Sequence, residues 1–436
     1  MIPSARRLMH SLRDVGYDLP SAVADLVDNS IDAGADEVHI DTGVNWPGAY
    51  LRIVDNGKGM SERRLEEAMR YGSSRSYFGD DLGYFGLGLK TASLSQCRSL
   101  TVATRSTTKG RIRIRRWDLD DVSDRDAWFL ERPAVLDCRD ELIEPLEHRV
   151  GTVVMWEKLD RILGNRRPDG DAARRKLNSV ADELQLQLGM VFHRFLSRRS
   201  GPRKLRILLN EKSVKAWDPF SKSEPLTQAL PIQRLDLEHD GEVHRVSVKP
   251  FVLPAQHHFT SQEAHELAGG PNRWNRQQGL YIYRHDRLIQ SGGWNRLRTL
   301  DEHSKLARLA LDIPEGADDA FRTNVAKMSV AIPDALRPQL RVLIAGVVSH
   351  AQNTYRQRVR LVGGAVPDGP DGVNRERGVV LGDQWPVIVE ILEHEMVDHP
   401  DLLDRVLVAL ANAPPTGEVS TEAPEAIAAD LTHLQS

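Results

Sequence analysis

The sequence predicts an α/β chain with two principal domains, a mixed sheet covered by helices over residues 1–200 and a second α/β domain over residues 201–360. Three observations predict it. Apolar or alternating runs at 51–54, 100–105, 111–117, 205–210 and 279–284 carry the two-residue period of strands. Helical patterns at 23–32, 61–71 and 172–196 alternate with them. The chain has 436 residues, 40% of them hydrophobic, which suits two or three conventional cores. A Gly/Pro-rich run predicts a linker over 361–375, and residues 376–436 predict a helical, partly disordered tail.

The first helix carries the most chemistry. At helical spacing, Asp25, Asn29 and Asp32 share one narrow face, while Val23, Leu26, Val27, Ser30 and Ile31 cover the opposite side. A row of oxygen donors suits a magnesium–phosphate pocket, because Mg²⁺ takes hard oxygen ligands and shares substrate phosphates. A solvent-facing polar helix would show the same residues.

The next element is an apolar strand at 51–54 that ends in Asp55-Asn56-Gly57-Lys58-Gly59-Met60. Two glycines at alternate positions let backbone approach a ligand closely. An ionised Asp only accepts hydrogen bonds, so in a pocket it would take the exocyclic amino group of adenine and disfavour guanine. An ordinary Asp-Asn-Gly hairpin is the competing reading. A helical pattern begins instead at Ser61, with Ser61 and Glu62 suited to start it.

A glycine-rich run follows, Gly83-Tyr84-Phe85-Gly86-Leu87-Gly88-Leu89-Lys90-Thr91-Ala92-Ser93. Backbone amides at a helix start, with Lys90 adding a full charge, suit phosphate. Two common phosphate loops are excluded: the spacing is not G-x-G-x-x-G, and Leu89 separates Gly88 from the lysine of a P-loop. The small, polar segment at 72–83, with Ser73 and Ser74, has the composition of a mobile lid or of a flexible surface loop.

Together these segments resemble the GHKL ATPase superfamily of gyrase, the heat-shock chaperone ATPase, histidine kinases and MutL. Asp25 to Asn29 resembles its first motif, Asp55-x-Gly57-x-Gly59 its second, the 83–93 run its lid, and Gly151-Thr152 its last. The resemblance implies a Bergerat-type sandwich with ATP and Mg²⁺ as cofactors. It implies Asn29 as the metal ligand, Asp55 and Thr152 reading adenine, and Gly86, Gly88, Leu89 and Lys90 cradling phosphates. Asp32, Gly57, Gly59, Met60, Ser73, Ser74, Gly83, Phe85 and Leu87 complete the implied nucleotide contacts. Asp25 occupies the place of the family's catalytic glutamate in MutL- and gyrase-type members. It is one methylene shorter, a departure that bears on hydrolysis more than on binding.

The second half resembles the S5-like transducer domain of MORC-type ATPases and their bacterial relatives, through Asp218-Pro219-Phe220 and the run Tyr283-Arg284 to Arg287-Leu288-Ile289. The resemblance implies that Lys327 is a switch lysine reaching the γ-phosphate, and that ATP drives homodimerisation with exchange of the arm before Ser21. DNA, a protein client or a defence complex would be the partner. Binding without turnover is the alternative function, with a nucleotide-gated interaction as its output.

Charge and composition narrow the classes. A net charge of −4 gives no overall cation to coat nucleic acid. Cys97 and Cys138 are too few for a disulfide scaffold or a cysteine zinc site, which fits a reducing cytoplasm. No apolar run reaches membrane-spanning length, so no membrane association is expected. The basic cluster Arg194, Arg198, Arg199, Arg203, Lys204 and Arg206 reads as a solvated junction, and Arg111, Arg113 and Arg115 as the solvent face of a strand. His257, His258 and His265 read as a polar loop.

Overall fold

The structure is a computed structural model that describes residues 4–14, 17–45, 47–71, 88–199, 204–321 and 330–362. The chain divides into two compact units, Met1–Gln339 and Leu340–Ser436. Of the second, the described part belongs to the helix Arg337–Val362. Most of the expected linker and all of the expected tail lie outside the described residues.

The first unit holds two sheets. The first has the order β4-β3-β5-β2-β1-β6-β7. Its strands are β1 (Glu37–Asn45), β2 (Gly48–Asp55), β3 (Ser99–Arg105), β4 (Arg113–Asp118), β5 (Gly151–Glu157), β6 (Arg206–Leu209) and β7 (Lys212–Ser213). All pair antiparallel except β1 with β6, which run parallel, so the sheet is mixed as expected. The strand expected at 205–210 pairs with β1, so the first sheet continues past residue 200 to Ser213.

Both faces of the first sheet are covered. Leu51 and Ile53 of β2 join one core with Val23, Leu26 and Val27 of the helix α2 (Leu19–Asp32). Tyr50 and Val54, one residue out of phase, join a smaller core with Leu142, Ile143 and Leu146. Strand alternation sorts them. Each such Leu, Ile or Val contributes roughly 1.5–3 kcal/mol by full burial. The arm before Ser21 forms α1 (Ala5–Arg13), which packs within the same unit: buried Arg13 donates to the carbonyls of Leu94 (2.6 Å) and Cys97 (3.3 Å) and pairs with Asp160 (2.7 Å).

The second sheet comprises β8 (Gln228–Ala229), β9 (Gln233–His239), β10 (Glu242–Val252), β11 (Gly279–Arg284), β12 (Arg287–Ser291) and β13 (Ala307–Asp312). Its order is β12-β11-β13-β10-β8, with β9 also on β10. Its core gathers Met190, Trp217, Phe220, Phe251, Tyr281, Tyr283, Leu288 and Ala310. The first sheet's long helix Asp171–Val191 supplies Met190 to it. The motif Asp218-Pro219-Phe220 is therefore a packing feature: Phe220 stacks on Phe251 at 4.4 Å between ring centroids.

Two charge expectations are corrected. Arg115 does not face solvent; it is buried and pairs with Glu62 (2.8 Å) and Glu66 (2.7 Å) of α3 (Glu62–Met69), because β4's register turns it under that helix. Arg194 and Arg198 are not merely solvated. Both pair with Asp286, and Arg194 also with Asp312, so this part of the basic cluster clamps the short helix His193–Leu196 and the residues just after it to the second sheet. The histidines do not share one polar loop: His257 and His258 lie on a 3₁₀ turn, and His265 lies on the helix Gln262–Ala268, where it stacks on Trp274.

Candidate functional site

The site assembles along α2. Asp18 starts this helix by accepting the Ser21 N–H at 2.8 Å, and Pro20 occupies its first turn, where a missing N–H does no harm. The helix ends at Ala33-Gly34, with Gly34 at φ +78°. The core-facing stripe is as expected, but the polar residues divide. Asp25 is 4% exposed and Asp28 fully buried, whereas Asn29 is exposed and Asp32 half-buried.

At the C-terminal half of α2 stands Asp55, the last residue of β2. Its Oδ1 accepts the Gly57 N–H at 2.9 Å and its Oδ2 the Ser30 hydroxyl at 3.3 Å. The Thr152 backbone N–H also faces the carboxylate. Burial pushes the carboxyl up to about 6 despite these three donors. The strand register explains the neighbourhood. Asp55 lies opposite Thr152, and Thr152 opposite Thr104, so three adjacent strands present these residues side by side on the face that α2 covers.

Thr104 links the strand ends to the glycine loop. Its hydroxyl donates to the Gly151 carbonyl (3.0 Å) and accepts the Met60 N–H (2.9 Å). That leaves Thr152 as donor across the 3.2 Å gap between the two hydroxyls. Asn56 fixes the other side by accepting the N–H groups of Asp36 and Glu37, each at 3.1 Å. Gly59 adopts φ +60°, and a Cβ there would overlap the Arg105 carbonyl. At Gly151 a Cβ would overlap the Asp55 carbonyl, so both glycines serve close backbone approach. The Asp-Asn-Gly run is thus a strand-to-helix loop, since β2 pairs with β1 and β5 and is followed by α3.

At the N-terminal half of α2, Asp25 accepts a hydrogen bond from the Tyr17 hydroxyl at 3.0 Å. Burial, then the charge of Asp25, pushes the Tyr17 phenol far above its ordinary range, so it stays a donor. A Cβ on Gly88, the first residue of α4 (Gly88–Gln96), would stand 3.5 Å from Asp25 Oδ2. The start of α4 and the candidate base are therefore in contact range. Leu89 packs against the core. Lys90 is buried, and its ammonium donates to the Ala68 carbonyl in the last turn of α3 at 2.8 Å. Burial pushes Lys90 down to about 8. Ser73, Ser74, Gly83, Phe85, Gly86, Leu87, the lid at 72–83 and Lys327 lie outside the described residues.

Four residues at this site were not singled out from the sequence. Tyr17 grips Asp25, Ser30 and Thr104 support Asp55 and its loop, and Asp28 pairs with Arg287 of β12. Ser30 had a signal, a lone hydroxyl within an apolar stripe. Thr104 differs from other strand threonines only through its register.

The donor set fits an adenine nucleotide and its cation: a buried acceptor-only carboxylate at Asp55 and an exposed side-chain amide oxygen at Asn29. A family model described as "Histidine kinase-, DNA gyrase B-, and HSP90-like ATPase" matches residues 17–149, which run from Tyr17 to just short of Thr152. The DNA mismatch repair protein MutL of Aeromonas hydrophila subsp. hydrophila is 42% identical over 92 residues, 20% of this chain and 14% of that protein. MutL of Mannheimia succiniciproducens is 32% identical over 141 residues, 31% of this chain and 19% of its own length. The chain thus spans less than a fifth of these relatives' length (14% and 19%). Over the matched segment, with the carboxylate, glycine and helix arrangement it contains, the chain is similar to the GHKL superfamily of ATPases and carries an ATP-binding domain of that type.

Proposed function

We propose that the chain is an ATP-operated conformational switch that hydrolyses ATP with Mg²⁺, dimerises when ATP is bound, and works as a cytoplasmic clamp on DNA. One observation carries the nucleotide part. A single helix, α2, sets Asp25 against Gly88 near its start and Ser30 against Asp55 five residues later. A base-reading end and a phosphate end are thereby held in fixed relation by about 7.5 Å of helix rise.

In this reading Asp55 accepts the adenine amino group, and Thr152 and Ser30 hold the carboxylate ionised and aimed. Asn29 presents its amide oxygen to Mg²⁺, which when bound would neutralise phosphate charge. Asp25 takes the proton of the attacking water, with Tyr17 holding the carboxylate through Oδ2, the oxygen that faces the start of α4. Lys327 would sense the γ-phosphate from the second half of the chain, giving the ATP state a contact that the ADP state lacks. The DNA part rests on the MutL relatives, which are named for mismatch repair. A defence complex or a protein client would use the same switch.

The test is calorimetric titration of the full chain with Mg·ATP, together with phosphate release by wild type, Asp25→Glu and Asn29→Ala. Magnesium-dependent binding with turnover, the turnover lost in Asn29→Ala, supports the reading. Failure to bind Mg·ATP refutes it. Binding and ATP-induced dimerisation without phosphate release would favour a nucleotide-gated interaction protein, the reading that the shorter Asp25 side chain supports. A DNA affinity that is the same with and without a non-hydrolysable ATP analogue would remove the clamp.

A further inference from the structure

The β11–β12 hairpin turns through His285 and Asp286, both at positive φ (47° and 70°), with Arg284 and Arg287 paired in register on either side. This two-residue turn has the backbone of type I′, which non-glycine residues adopt at some strain. Its charged side chains leave in three directions. Arg284 makes a bidentate pair with Asp318 (2.6 and 3.0 Å). Asp286 takes Arg194 from the short helix His193–Leu196 and Arg198 from just beyond it. Arg287 reaches into the first sheet's layer, where its Nε stands 3.4 and 3.3 Å from the two oxygens of Asp28.

The Arg287–Asp28 pair is the one that matters for the site. Both side chains are buried, at 4% and 0% exposure. A buried ion pair is a poor device for stability, since apolar residues of similar volume often serve as well, and it is better suited to fixing one arrangement. What it fixes is the rotation of α2 against the second sheet. Asp28 directly precedes Asn29 and lies three residues beyond Asp25, so a turn of α2 about its axis moves both. Arg287 also stands close enough to Tyr17, the residue that grips Asp25, to influence its hydroxyl electrostatically.

We infer that Arg287 is a positioning residue for the ATP site: from the second sheet it holds α2, through Asp28, in the rotation that places Asp25 and Asn29 for reaction. The inference rests on the ATPase reading above and adds the residue by which the second sheet governs it. ATP binding depends chiefly on the Asp55 end of α2, which Arg287 does not touch, so Arg287 acts on turnover more than on affinity.

The test uses the full chain with Arg287→Gln, Arg287→Lys and the double variant Asp28→Asn/Arg287→Gln. Three quantities are measured: urea stability, kcat and KM for Mg·ATP, and hydrogen exchange of the α2 amides. Arg287→Gln removes the cation facing the buried Asp28 carboxylate and is expected to lose stability, which the double variant restores. In the double variant kcat is nevertheless expected to stay down by about tenfold or more, with KM within about threefold and α2 exchange about tenfold faster. Arg287→Lys, which keeps the charge but not the planar fork, is expected to recover part of kcat. A double variant with wild-type kcat and wild-type α2 exchange overturns the inference. A wild type without turnover instead removes the hydrolysis part of that reading, and α2 exchange in the double variant then decides the inference alone.

Discussion

Asp55→Asn separates stability from function at one atom position. The carboxyl titrates at about 6 in the folded chain, against an ordinary Asp value of 3.8, because burial outweighs its three hydrogen-bond donors. The folded state therefore binds more protons than the unfolded state between these two values. Stability from this group is fully present below pH 3.8 and falls as pH rises, until it is lost above pH 6. Two pKa units at 1.36 kcal/mol each give about 3 kcal/mol across the window, about half of it between pH 5 and pH 8. In the proposed reading, the ATP-free protein keeps this destabilising carboxylate because adenine needs an acceptor there.

Asparagine has no such titration. It keeps one oxygen for the Gly57 N–H but turns an NH₂ toward the remaining donors, at a cost of about 1 kcal/mol. The expected result is a variant whose stability relative to wild type rises by about 1.5 kcal/mol from pH 5 to pH 8, measured by urea unfolding without nucleotide. In the same variant ATP binding is lost, because an amide NH₂ meets the adenine amino group donor to donor. In wild type, ATP affinity is expected to be flat above pH 7 and to weaken about tenfold per unit below pH 6. A variant–wild-type difference that does not change with pH, or ATP affinity that is constant down to pH 5, would refute the assignment of Asp55 as a buried, base-reading carboxylate.

Three further outcomes are expected. Asp25→Asn should retain a non-hydrolysable ATP analogue within a few-fold, while phosphate release falls by about 100-fold or more, the scale of a lost general base. Thr104→Val should destabilise by about 1–3 kcal/mol in urea unfolding, since the Met60 N–H and the Gly151 carbonyl both lose a partner in a buried place. Gly59→Ala should destabilise by about 1–3 kcal/mol and weaken ATP binding, because φ +60° and the Arg105 carbonyl both oppose a side chain. An unchanged urea midpoint in either of the last two would show that the glycine loop is not held as described.

What was legible in the sequence is what local chemistry dictates. The α2 stripe of Val23, Leu26, Val27 and Ile31 follows from helical spacing, and it is the buried face. The strand–Asp–Gly–x–Gly run could be separated from a hairpin because Ser61 and Glu62 begin a helix, and Ser61 does accept the Arg64 N–H at 3.4 Å. The strands were visible as short apolar or alternating runs, but in β11 the alternation marks no solvent face, since every residue there is buried. The sequence did not reveal that β6 crosses back to pair parallel with β1, because a four-residue apolar strand carries no mark of its partner.

Charges show where local reasoning stops. Arg115, Arg194 and Arg198 have the composition of solvated residues, yet each is spoken for by a carboxylate from another element. Asp28 is the sharpest case. It sits between two candidate ligands on α2, and its partner Arg287 lies 259 residues away. On a helical wheel it extends the polar row of Asp25 and Asp32, so spacing alone predicts a solvated carboxylate, and only Arg287 of the second sheet makes a buried one tolerable there. The same geometry explains why it can matter for function. A side chain that neither sheet alone could bury records whether the two are in contact, and α2 carries that record to the residues proposed to meet the nucleotide.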